Sequence, residues 1–234
     1  HESYSRAEFQ RIASAARADL RRAAQRIRAN RVLLEQYRSG HLDDPTRRFE
    51  LLDYVERHAD AIGRAAVFVT QLEQPIPAAR RALEIARAAG TVTILNPAPA
   101  AALDDSIFAL CDYVTPNESE AKGITGVEVT DIASARKAGD VLLKKGAGAA
   151  LITLGGQGAL LHTAQSSVHI PIFSVGKVVD TTGAGDAFNG GFAAALARGD
   201  DPAAAARFGA AVAGISVTRP GAAASVPKLD ETLA

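Results

Sequence analysis

The chain has 234 residues, 47% hydrophobic and 22% charged, which leaves room for one large domain or two small ones. Lys+Arg and Asp+Glu are both 26, so no net field draws the whole chain to nucleic acid or to a membrane surface. Cys111 is the lone cysteine; it excludes an internal disulfide, is expected to be buried and inert, and fits a reducing cytoplasm. No apolar run is long enough to cross a bilayer, and the polar N-terminus does not read as a secretory signal. The sequence starts at His1 and contains no Met, so as written it is not expected to be a primary translation product.

Residues 1–54 read as an Arg-rich, amphipathic helical segment. Arg supplies all the Lys and Arg charge of residues 1–50, eleven against seven Asp and Glu. Phe9, Ile12, Ala16, Leu20, Ala23, Ile27, Leu34 and Tyr37 recur at spacings that share one helical face. Ser5 with Glu8 makes a candidate capping box, and Ser39-Gly40 a helix end. Such a face is expected to pack on the rest of the protein or on a second copy, which makes a homodimer the candidate assembly. Interspersed acids argue against an RNA or membrane surface.

Residues 55–234 alternate strand and helix. Ala65–Gln71 predicts a strand, Pro77–Ala89 a helix stopped by Gly90, and Thr91–Leu95 a strand before Pro97 and Pro99. Leu110–Thr115 predicts a strand, with a short helix from Asn117 and a longer one over Asp131–Lys145. Ala149–Leu154 is an apolar strand, and Gly158–Thr163 with Val168–Val175 an antiparallel pair. Helices follow over Ala184–Ala197 and Pro202–Thr218. This alternation predicts an α/β fold, a mainly parallel sheet covered by helices on both faces, with ligands gathering at the carboxyl ends of the strands.

The chemistry concentrates in Asp180-Thr-Thr-Gly-Ala-Gly-Asp186, which reads as a strand end, a glycine turn and a helix start. Gly183 and Gly185 allow a sharp turn and a close approach of ligand to backbone. The first amides of the helix and its dipole then favour an anion, and Asp186 in the first turn is placed to deprotonate an alcohol attacking a bound phosphate. A P-loop is excluded, because no Gly-Lys-Ser/Thr occurs. A dinucleotide fingerprint matches poorly, because Phe188 stands at the third glycine position. A helix capped by Asp with glycines serving only the turn is the plain structural alternative.

Asp180-Thr-Thr-Gly-Ala-Gly-Asp-Ala-Phe-Asn-Gly190 resembles the second signature of the ribokinase (PfkB) family of carbohydrate kinases. Asn96-Pro-Ala-Pro99, Thr115-Pro-Asn-Glu-Ser-Glu120, Val217-Thr-Arg-Pro-Gly221 and Ser225-Val-Pro227 are similar to ribokinase segments in the same order. The resemblance implies a ribokinase-like fold and an ATP-dependent sugar kinase acting on the primary hydroxyl of D-ribose. Asp186 is then the catalytic base and a sugar contact, with Gly183, Ala184 and Gly185 as the anion hole. Asn117 and Glu120 match the Asn-x-x-Glu motif that positions phosphates and Mg²⁺. Thr153, Gly155, Gly158, Gly185 and Gly209 fall on nucleotide-contacting positions, and Glu73 on a sugar-contacting one. Asp180, Thr182, Ser216, Arg219, Gly221 and Ser225 fall on the positions of a monovalent cation, K⁺. Sugar and ATP are the implied partners. The family's early Asn-x-Asp and Gly-Gly-Lys-Gly-Ala-Asn motifs, which grip the sugar hydroxyls beside a lid, do not occur. That departure keeps two other readings open: a nucleotide-binding module without catalysis, carrying a helical assembly element, and another PfkB kinase such as a fructokinase.

Overall fold

The computed structural model of the chain describes residues 45–233, with side chains from residue 51 onward. The helix expected between Phe9 and Tyr37 lies outside the described residues. The first described element is a helix, α1 (Pro45–Arg57), followed by a short α2 (Ala59–Gly63). By its contacts the chain divides into residues 1–50 and 51–234, and the sheet and the candidate site belong to the second unit.

Six strands form one sheet in sequential order: β1 (Val67–Thr70), β2 (Val92–Leu95), β3 (Tyr113–Val114), β4 (Ala149–Thr153), β5 (Ala159–His162) and β6 (Ser167–Ile170). The first four are parallel and the last two antiparallel. Alternation along β4 explains why both faces need cover. Ala150 and Ile152 enter one core with Leu83, Ala121, Ala135 and Leu142, whereas Ala149 and Leu151 enter a second with Phe188, Phe192, Ala195 and Ala205. The first core is roofed by α3 (Ile76–Ala88), α4 (Glu118–Thr125) and α5 (Ile132–Lys144). The second is roofed by α6 (Ala184–Ala197) and α7 (Pro202–Ser216). A last short helix, α8, covers Leu229–Leu233.

Helix starts follow local chemistry. Asn117 and Glu120 form a reciprocal capping box at α4, and Asp131 with Ser134 another at α5. Asp201 accepts from the amides of Ala203 and Ala204, with Pro202 opening α7. Each such cap is worth about 1 kcal/mol. Gly126, in the left-handed region at φ 73°, closes α4.

Every strand is shorter than its residue pattern predicts, β3 and β6 by the most. Leu110 belongs to a 3-10 turn (Asp105–Leu110) rather than to β3. The Thr93 hydroxyl donates to Leu110 O at 2.7 Å and accepts from Asp112 N at 2.9 Å, so a side chain takes the bonds a longer ladder would need. Likewise β6 ends at Ile170, because Pro171 has no amide to continue the ladder. Cys111 is 1% exposed, and burial pushes its thiol up to about 12. Among the described residues no helix is long and apolar enough to cross a membrane.

Candidate active site at the strand ends

The backbone ladder lines up the carboxyl ends of the parallel strands. Asn96 N donates to Thr70 O at 2.9 Å, Thr115 N to Leu95 O at 2.9 Å, and Thr153 N to Pro116 O at 3.0 Å. Polar side chains therefore succeed one another just past β1, β2, β3 and β4, the edge where open α/β sheets hold ligands.

Residues 180–186 reach this edge as a tethered loop. Asp180 Oδ1 accepts from Thr182 N and Oδ2 from Gly221 N, both at 2.9 Å. Backbone hydrogen bonding from Thr182 holds its carboxyl below the usual aspartate range, with the Gly221 amide adding to the effect. One carboxylate thus joins the 180–182 turn to the 219–225 loop. Gly183 follows at φ 77°, and a Cβ there would stand 2.9 Å from that of Ala222. Both the left-handed backbone and the close approach require glycine.

At the start of α6 the amides of Gly183, Gly185 and Asp186 have no hydrogen-bond partner among the described residues. Ala184 departs from the expected trio: its N–H donates to Thr181 O at 3.2 Å. The turn closes on itself through that one amide and leaves its neighbours as donors. Asp186 is exposed, not folded into the interior. It lines a cavity of about 410 Å³ with Gly183, Gly190, Gly191, Ala222 and Val226. One turn further on, Asn189 is buried with its Oδ1 unpartnered among the described residues. A helix start with free amides beside a carboxylate can hold an anion and take a proton from a neighbouring hydroxyl.

The other positions fall into three groups. Asn117 and Glu120 are locked together, Asn117 Oδ1 accepting from Glu120 N at 2.8 Å and Glu120 Oε2 from Asn117 N at 2.9 Å. Burial pushes the Glu120 carboxyl above the ordinary glutamate range. Thr153 ends β4 close by, and a Cβ on Gly155, at φ 48°, would stand 3.6 Å from Glu118 Oε1. Gly158 and Gly209 have packing reasons to be glycine. A Cβ on Gly158 would meet Ile170 O at 2.1 Å, and one on Gly209 would meet Phe188 O at 2.7 Å where α7 crosses α6. In the third group, Ser216 and Ser225 are buried, and their hydroxyls donate to Ala213 O and Ala222 O. Arg219 pairs with Glu231 at 2.9 Å, and Gly221, at φ 84°, takes the Asp180 bond.

Glu73 is exposed on the turn after β1. The residue of that turn that does reach Asp186 is Gln71, whose Nε2 donates to Asp186 Oδ1 at 2.7 Å. The same nitrogen donates to Asn96 Oδ1 at 3.1 Å, and Asn96 Nδ2 donates to Thr115 O at 2.7 Å. Sequence reasoning assigned Gln71 no role. The signal that could have found it was an amide residue directly after an apolar strand, at the edge where ligands gather.

A family model described as pfkB family carbohydrate kinase matches residues 12–229, beginning well upstream of the motif-bearing segments. The ribokinase of Haemophilus influenzae is 44% identical over 184 residues, 78% of this chain and 60% of that protein. The ribokinase of Staphylococcus aureus is 43% identical over 173 residues, 74% of this chain and 57% of that protein. The structure of Arabidopsis thaliana ribokinase complexed with ribose and ATP aligns at TM-score 0.73 and 27% identity, over 76% of this chain and 57% of that one. Ribokinase of Thermotoga maritima aligns at TM-score 0.67 and 38% identity, over 75% and 58%. The chain spans about three fifths of the length of the relatives it matches. The six-stranded α/β sheet agrees with these matches, and the chain belongs to the pfkB family of carbohydrate kinases.

Proposed function

We propose that this chain carries the phosphoryl-transfer site of a ribose kinase, moving the terminal phosphate of ATP to the primary hydroxyl of D-ribose. The observation that carries the reading is Asp186, exposed in the first turn of α6 and lining a cavity beside the free amides of Gly183 and Gly185. In the reaction, the bond forms between the sugar oxygen and the terminal phosphorus while the bond from phosphorus to ADP breaks. The hydroxyl proton passes to the Asp186 carboxylate. The free amides bear on the charge of the transferred group throughout, and alignment of hydroxyl and phosphate supplies much of the rate.

The residues present fit a sparsely held Mg²⁺. Among the described residues no three His, Cys, Asp or Glu side chains gather, and Glu120 uses one oxygen for its cap. Glu120, with Asn117, would hold the ion through waters while the phosphates supply its other ligands. When bound, Mg²⁺ neutralises phosphate charge. They also fit a monovalent cation. Asp180 draws the Thr182 and Gly221 backbones together, and oxygens of residues 180–182 and 216–225 would be the ones to hold K⁺.

The test is ADP release by the full chain with MgATP, K⁺ and D-ribose. The expected result is ribose-dependent turnover that Asp186→Asn lowers by about 10² to 10⁴. Absence of ribose-stimulated turnover overturns the reading. A panel including D-fructose separates a ribose kinase from a fructokinase of the same family. ATP binding without transfer would favour the non-catalytic module instead.

A further inference from the structure

We propose that Gln71 is a positioning residue for Asp186, fixed by Asn96, which pins one oxygen of the base and leaves the other for the acceptor hydroxyl. The inference rests on Asp186 being the base of the proposed transfer.

The direction of the chain of bonds follows from what each group can donate. Thr115 O only accepts, so the Asn96 amide nitrogen must face it, at 2.7 Å. Asn96 Oδ1 therefore faces Gln71. The Gln71 nitrogen then meets two acceptors, Asn96 Oδ1 at 3.1 Å and Asp186 Oδ1 at 2.7 Å, one for each amide hydrogen. Turned over, Gln71 would set its own oxygen against both. Only one orientation satisfies the group, and it presents a donor to the carboxylate.

The support behind Gln71 is stiff. Asn96 is 9% exposed, and its N–H donates to Thr70 O at 2.9 Å just past the end of the β1–β2 ladder. Gln74 Nε2 donates to Gln71 O at 2.7 Å, and also to Thr70 Oγ1. Next along the chain, Leu72 is buried, with its N–H on Ala98 O at 2.8 Å. Asp186 itself is exposed at a helix start, and Gln71 is its one side-chain partner among the described residues. Without that bond the carboxylate turns freely about its side-chain torsions. With it, Oδ1 is tied to the sheet edge and Oδ2 is left for the sugar, a supporting contact of the kind that orients reactive groups.

Two measurements on the full chain test this. In kinetics, Gln71→Ala and the same-length Gln71→Glu, which removes the donor, are expected to lower kcat by roughly 10- to 100-fold while both KM values stay within about twofold. A loss confined to KM, or an unchanged kcat, overturns the proposal. In ¹⁵N–¹H spectra, the Gln71 side-chain amide, assigned by its disappearance in Gln71→Ala, is expected to shift in both Asp186→Asn and Asn96→Ala. If it stays put in Asp186→Asn, the proposal fails whatever the kinetics show. A chain that never phosphorylates ribose but shows both shifts keeps the bonded chain and sinks the kinase reading instead.

Discussion

Gly183 and Glu120 show how a single residue can be tied to the site by its backbone or by its burial. Gly183→Ala would force a side chain into the left-handed region, at about 1–2 kcal/mol, and drive its Cβ to 2.9 Å from Ala222. On the proposed reaction, the expected outcome is a lower thermal midpoint together with a loss of ribose-dependent turnover of about tenfold or more, since the turn that opens the amides is displaced. Glu120 makes a prediction with a sign. Burial raises its folded pKa above the ordinary 4.5, outweighing the Asn117 amide that pulls it down. The folded state thus holds this proton more tightly than the unfolded chain does. The contribution is fully present below 4.5 and is lost as pH rises through the folded value. Glu120→Gln keeps an oxygen for the cap and loses the charge. Urea midpoints between about pH 4 and 7 should therefore show the variant gaining on the parent chain as pH rises.

At the scale of elements, the seam between α6 and α7 and the tether between two loops carry the site. Gly191 and Gly209 face each other across the seam, where a Cβ on Gly191 would come within 3.0 Å of the Gly209 Cα. Gly209→Ala meets a backbone carbonyl, not a flexible side-chain end, and is expected to cost about 1–3 kcal/mol of overpacking, read as a shift in denaturant midpoint. An equal loss with and without saturating ATP marks the seam as the reason for glycine; a loss of ATP affinity alone marks a nucleotide contact. The tether is Asp180. Its depressed pKa means the stabilisation it brings is present above 3.8 and is lost as pH falls through the lower folded value. The Gly221 amide should accordingly be protected from hydrogen exchange near neutrality, and lose that protection at any pH in Asp180→Ala.

Across the molecule, what could be read from residues alone was what neighbouring residues decide. The start of α6 at Ala184, the cap at Asn117 and the antiparallel pair after β4 follow from glycines, capping side chains and apolar runs within a few positions of each other. The late start of β3 was hidden because Thr93, on another strand, takes the bonds of Leu110 and Asp112. The Gln71–Asp186 contact was hidden for the same reason at greater range, joining residues 115 apart in the chain. The Arg219–Glu231 pair could not be read from the motif that holds Arg219, since its partner comes from the final helix.

The interior position of Cys111 turns it into a clock. A thiol lodged beneath the sheet, next to Ile107, can meet an alkylating reagent only when the surrounding core parts. As the sequence offers no other thiol, each labelled molecule counts one large-scale opening. Iodoacetamide uptake should be slow in the native chain and rapid in denaturant. It should slow further when nucleotide is added, if ligand grips the folded form in preference to the open one.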